Sequence, residues 1–173
     1  IFSTLLFAPL GEIMLESVYS FCKKCLFLNL VKMFYLNQIV MKIIALGDTH
    51  GRNYWESIWE KHLDADFFIF IGDYFDSKEG ITAEQQLDNF YKIVALKKQY
   101  PQKVILLFGN HDYHYTDLVP SIDKYSGYQF NHASLISKAI KEVLDEKLFQ
   151  MSFKHENFLF SHAGISKRWC DVF

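Results

Sequence analysis

Only three cysteines occur in this sequence, and they do not form a set. Cys22, Cys25 and Cys170 are an odd count with no disulfide framework, which points to a reducing compartment such as the cytoplasm. Cys22 and Cys25 make a CxxC, yet no second pair completes a four-thiolate zinc site and no βαβ context supports a redox motif. Plain reduced thiols are expected. An excess of positive charge is missing as well. Lys and Arg number 18 against 20 Asp and Glu, a net charge of −2. Stable binding to nucleic acid through charge needs a basic surface, so that class is disfavoured. A nucleotide substrate is not excluded, because a metal ion can supply the positive charge. Nor is there a long apolar run. The best window, Cys25 to Val40, holds sixteen residues and is broken by Asn29, Lys32, Asn37 and Gln38. A membrane-spanning helix takes about 20 mostly apolar residues, and a signal peptide has a clearer apolar core and cleavage site. No clear membrane anchor is expected. Internal repeats and low-complexity tracts are absent.

What is present suits one folded domain. Half of the 173 residues are hydrophobic and 17% are aromatic, enough for a packed core. The first forty residues differ from the rest, being very apolar with two acids (Glu12, Glu16) and three bases (Lys23, Lys24, Lys32). Residues 1–40 therefore read as an N-terminal extension, and Met41 as the natural start of the domain. From there the pattern becomes regular. Buried strands are expected at 41–47, 66–72 and 103–109, each a short apolar run. Residues 53–62 read as a helix ending near His62. Thr82 and Gln85 form a capping-box signature, with Leu87, Phe90, Tyr91 and Val94 on one helical face and Pro101 as the stop. Ile136, Ala139, Ile140 and Val143 mark another helix. Residues 148–153 alternate as a half-buried strand, 154–157 form a turn, and 157–161 form a last strand. Alternating strands and helices imply parallel pairing with right-handed crossovers, and the late hairpin implies a mixed sheet or a second sheet packed on the first.

Four short motifs then stand out: GDTHG (47–51), GDYFD (72–76), GNHD (109–112) and SHAG (161–164). The first three follow directly on apolar strands, the edge where α/β sheets bind ligands, and are spaced by roughly one βαβ unit of ~30 residues. Asp48, His50, Asp73, Asp76, Asn110, His111 and Asp112 would thus meet on one rim, with His162 brought by the hairpin. So many carboxylates cannot converge without neutralisation, and two cations would supply it. Carboxylate, amide and imidazole donors without thiolate suit Mn, Fe or Zn better than Mg or Ca. The glycines at 47, 72 and 109 are expected to allow tight turns there. Turn and cap chemistry alone would explain one such motif, but not four in series.

Taken in order, the four motifs resemble the calcineurin-like metallophosphoesterase superfamily over roughly residues 41–168, most closely its protein-phosphatase-like branch with small bacterial and phage enzymes. The resemblance implies an α/β sandwich with a dinuclear metal centre. It implies that Asp48 and His50 bind one metal, that Asp73 bridges both, and that Asn110 and His162 bind the second. His111 would be the general acid, oriented by Asp76, and Asp112 would support its loop. Hydroxide held between two cations, Mn first with Fe or Zn as alternatives, would attack phosphorus in line with the leaving oxygen.

Two departures from the family pattern qualify this. A further Gly-His motif expected after SHAG is missing before Phe173, so the domain 41–173 reads as truncated at its C-terminus. The arginine that directly follows GDxxD in protein serine/threonine phosphatases is replaced by Ser77, then Lys78, and neither is an equivalent phosphate clamp. The substrate class stays open among a phosphorylated small molecule, a nucleotide and a phosphoprotein. A phosphomonoesterase leads. A dinucleoside polyphosphate hydrolase, a nucleic-acid phosphodiesterase and a non-catalytic scaffold with an incomplete metal centre are the alternatives. In the aromatic segment 113–130, Tyr113, His114, Tyr115 and Tyr128 either shape a substrate pocket or pack against helices, with packing favoured. His132 and His155 are expected to face solvent.

Overall fold

The computed structural model describes residues 41–118 and 127–164. The extension, all three cysteines and the middle of the aromatic segment lie outside that range. The central element is a four-stranded sheet in sequential order, β1 (Ile43–Leu46), β2 (Phe67–Phe70), β3 (Val104–Leu107) and β4 (Phe149–Gln150). Every pairing in it is parallel. Strands laid down in one direction with crossovers of one hand put their connecting helices on one face. Helices α1 (Tyr54–Lys61), α2 (Ala83–Gln99) and α4 (Ala133–Asp145) accordingly share one core with Phe68, Phe70, Val104 and Leu106. Between β3 and α4 lies a single turn, α3 (Asn110–Tyr113).

Strand alternation sends Ile69, Ile105 and Leu107 to the opposite face. Here the expected hairpin covers them as a second sheet. Strands β5 (Ser152–His155) and β6 (Phe158–Ser161) pair antiparallel, and Phe153 and Phe160 pack onto the apolar face of the first sheet. The molecule is thus the α/β sandwich the motifs led us to expect, with one purely parallel and one antiparallel sheet. The strand expected at 148–153 divides between the two. Phe149 and Gln150 join β3, the chain turns at Met151, which is 72% exposed, and Ser152 opens the hairpin.

Two helices show how the sequence sets their faces. In α4 the expected stripe Ile136, Ala139, Ile140 and Val143 is buried throughout. In α2 the capping box forms as expected, Thr82 Oγ1 accepting from the Gln85 amide and Gln85 Oε1 from the Thr82 amide. Its buried face is rotated from the expected one, however. Phe90 and Val94 are buried, but Tyr91 is 44% exposed, and Gln86 and Asn89 take inward positions. Those two polar side chains face the loops of the site and are satisfied there. Asn89 accepts from Trp55 Nε1 and donates to the Arg52 carbonyl. Gln86 accepts from the Ser77 amide and donates to the Ile81 carbonyl. Buried polar groups survive only with such partners. Among the described residues no helix is long and apolar enough to cross a membrane.

Candidate metal centre

The loops leaving β1, β2 and β3 and the end of β6 meet at the carboxyl edge of the parallel sheet. Their backbone is bent sharply. Asp48, His50, Asp73 and Asp76 all have left-handed φ, between 41° and 65°. Only Lys147 and Glu156 share that property among the other described non-glycine residues. A left-handed residue with a Cβ costs roughly 1–2 kcal/mol, least for Asp and Asn. The conformation turns these side chains back over the strand ends. Glycine contributes differently from expectation. Gly72 has φ 104°, and a Cβ there would lie 2.6 Å from the Gly109 nitrogen. Gly109 needs no unusual φ, yet a Cβ on it would stand 2.3 Å from both the amide nitrogen and Oδ1 of Asp73. These two glycines let the β2 and β3 loops touch backbone to backbone. Gly47 has neither role.

Strain of this kind persists only where the surroundings over-determine it. Asp112, fully buried, is the principal tie. Its Oδ2 accepts from the amides of Asp73 and Gly109, and its Oδ1 from the amide of Tyr74, each at 2.9 Å. It is therefore committed to backbone. Burial pushes its carboxyl up to about 7 against the pull of those donors. The His50 amide donates to the Asp73 carbonyl at 2.8 Å and joins the first loop to the second.

Asp73 sits at the middle. Asp48, His50 and Asp73 each offer one donor atom, and these lie within 4.8 Å of one another. His50 Nδ1 bonds the Phe75 carbonyl, which leaves Nε2 facing Asp73 Oδ2 at 3.9 Å. From the other side, His162 Nδ1 bonds the Ile71 carbonyl at 2.9 Å, and its Nε2 stands 3.4 Å from Asp73 Oδ1 and 2.7 Å from Asn110 Oδ1. With Nδ1–H committed to a carbonyl, a neutral imidazole turns a lone pair outward at Nε2. In His162 that nitrogen meets the side-chain amide of Asn110, so both bring metal-capable donors to one point. A backbone carbonyl fixing the far nitrogen is also how metal-bound histidines are commonly oriented. The donors of Asp48, His50 and Asp73 thus fit a divalent metal.

His111 lies beside this group. Its amide donates to Asp73 Oδ1 at 2.9 Å, and its ring meets that of His50 edge to face at 5.2 Å. Its Nδ1 bonds Asp76 Oδ2 at 2.8 Å. That hydrogen bond raises the His111 pKa above the ordinary histidine range, against partial burial. Asp76 is itself buried and held from behind. The Tyr115 hydroxyl donates to its Oδ1, Gln129 Nε2 donates to the same oxygen at 3.2 Å, and the Gln129 amide donates to the Tyr115 hydroxyl.

All seven residues drawn from the first three motifs, and His162 from the fourth, therefore come together on one rim. Sequence reasoning missed the supports, namely Gln86, Asn89, Tyr115 and Gln129. Tyr115 is 2% exposed and stacks on Tyr128, so packing prevails for it, as favoured, while its hydroxyl serves the site. His155 departs from expectation. It ends β5 with its ring against Phe67 and Phe153 instead of facing solvent. His132 is half-buried and pairs with Glu84 at 3.4 Å, and His62 caps α1 as expected.

The sequence model of the calcineurin-like phosphoesterases matches residues 41–172. Over 100 residues the chain is 29% identical to the serine/threonine-protein phosphatase 4 catalytic subunit of Eremothecium gossypii. That alignment takes in 56% of this chain and 30% of the relative, so the chain spans less than a third of the relative's length. No solved structure gives a significant match.

Proposed function

The chain belongs to the calcineurin-like phosphoesterase family, and from that premise we propose that it is a metal-dependent hydrolase of phosphate esters, with a phosphomonoester as substrate. The observation that carries this reading is the Asp73 carboxylate, approached by His50 Nε2 on one oxygen and His162 Nε2 on the other. Asp48 and His50 would hold one divalent ion, Asn110 and His162 a second, and Asp73 both. Mn suits this donor set, with Fe and Zn as alternatives. Two such ions supply an activated water nucleophile and neutralise phosphoryl charge.

The chain's own residues complete the chemistry. His111, oriented by Asp76 through Nδ1, would be the general acid toward the leaving-group oxygen. The Asp76 hydrogen bond raises its pKa and so favours the acid form that proton donation requires. Tyr115 and Gln129 fix Asp76, so the imidazole is aimed before substrate arrives. The cleft beside His111 measures about 160 Å³ and is lined by His50, Arg52, Asp76, Ser77, Lys78, Glu79 and His111. We take residues 41–173 as the catalytic domain and 1–40 as an extension, and the odd number of cysteines supports a reducing, cytoplasmic setting.

A panel of phosphomonoesters, phosphodiesters and dinucleoside polyphosphates, run with added Mn and with EDTA, tests the proposal. Metal-dependent release of phosphate from monoesters is expected. Full metal occupancy without turnover of any member would establish the scaffold reading instead.

A further inference from the structure

Resting on that reading, we propose that Arg52 is the substrate's phosphoryl anchor and that Glu79 occupies its place until substrate arrives. The lining of the cleft beside the metal centre combines His50, Asp76 and His111 with Arg52, Lys78 and Glu79. Arg52 comes from the turn after GDTHG, and its guanidinium is pinned on one side. Nε donates to the Thr49 carbonyl at 3.0 Å and Nη2 to the Asp48 carbonyl at 2.6 Å. The Arg52 backbone carbonyl is held in turn by Asn89. The guanidinium is therefore oriented by the same loop that carries Asp48 and His50. Its remaining edge, at Nη1, faces the cleft and meets Glu79 Oε1 at 2.9 Å.

A carboxylate on that edge is a two-oxygen anion where a phosphoryl group would sit. It is weakly held. The side chains of Arg52 and Glu79 are 37% and 59% exposed, and exposed ion pairs contribute about 0–1 kcal/mol. A phosphate dianion presents more charge and three acceptor oxygens, and guanidinium binds it in a bidentate way. Exchange of Glu79 for phosphate costs little and gains a stronger pair. Lys78 lines the same cleft and adds positive charge. The anchor requires a phosphoryl group that keeps two free oxygens to accept the guanidinium N–H bonds.

The test uses the whole chain loaded with Mn, orthophosphate as the probe in isothermal titration, and para-nitrophenyl phosphate for kinetics. Arg52→Ala should weaken orthophosphate binding about 10- to 100-fold, the range for hydrogen bonds to charged groups, and raise KM more than it lowers kcat. Arg52→Lys should fall between it and the unchanged chain. Glu79→Gln removes the competing charge and should tighten orthophosphate by about two- to fivefold, as an exposed pair allows. Metal content and melting temperature are measured for each variant. Glu79→Gln that fails to tighten binding, or Arg52→Ala within twofold of the unchanged chain, overturns the anchor. Loss of metal in both Arg52 variants assigns Arg52 to loop support and also overturns it. Arg52-dependent orthophosphate binding without ester turnover would sink the catalytic reading and leave the anchor standing. Turnover with a KM indifferent to Arg52 would do the reverse.

Discussion

Asp112 offers the sharpest test of how the site is held. Its carboxylate accepts three buried backbone amides, those of Asp73, Tyr74 and Gly109. Asp112→Ala strands all three. Each unsatisfied buried donor costs about 1–3 kcal/mol. Removing the carboxyl also removes its own burial penalty, which offsets part of the loss. The net expectation is a destabilisation of about 3–6 kcal/mol, a large share of the ~5–15 kcal/mol that holds a domain together. Asp112→Asn keeps the shape and one oxygen. That oxygen can serve Asp73 and Gly109, while the amide NH₂ is turned on the Tyr74 N–H. One donor is lost, so about 1–3 kcal/mol is expected. Urea unfolding followed by circular dichroism in EDTA reads both values with metal out of the account. The clamp is refuted if Ala is no worse than Asn, or if both variants unfold within about 0.5 kcal/mol of the unchanged chain, the ordinary scatter of surface substitutions.

Further outcomes concern the chemistry. Asp73→Asn should lose metal, read as equivalents per chain by mass spectrometry, and two retained equivalents would contradict the shared carboxylate. His111→Ala should keep its metal and lose about 10²–10⁴-fold in turnover, the usual worth of a placed acid; metal falling in step with activity would count against that role. Asp76→Asn removes the leading cause of the raised His111 pKa. A general acid acts while protonated, so the alkaline limb of the rate profile should move to lower pH, and a limb that stays put or rises is the adverse result. Gly109→Ala places a methyl 2.3 Å from the Asp73 amide nitrogen, and should cost about 1–3 kcal/mol by overpacking together with weakened metal uptake; unchanged metal affinity would argue against the close approach.

Much of this architecture is legible in the residues alone, for physical reasons that differ from element to element. Short apolar runs fix β1, β2 and β3 because a sheet covered on both faces leaves no polar positions. The stripe in α4 is visible because its inward face touches only apolar side chains. The inward face of α2 is not, because Gln86 and Asn89 are buried by the needs of two loops, and no periodicity in hydrophobicity records that. The split at Met151 is equally silent, since a strand that changes sheets keeps its alternation across the break. The rim residues declare themselves by repetition of Asp, Asn and His after strands. Their left-handed backbone does not, for the glycines suggested that the turns would be theirs. Tyr115 and Gln129 lie in a segment whose aromatic content signals packing, and their hydrogen bonds to Asp76 have no sequence mark.

The hairpin that delivers His162 makes the rim depend on two sheets. Asp48, Asp73 and Asn110 follow neighbouring strands of one sheet. His162 follows the other sheet, whose Phe153 and Phe160 pack on the first. An ion gripped from both quarters would therefore act as a rivet through the sandwich, tightening the docking by as much as docking tightens the grip. Loosening the two phenylalanines, some distance from any reacting atom, would be felt as poorer retention of the ion.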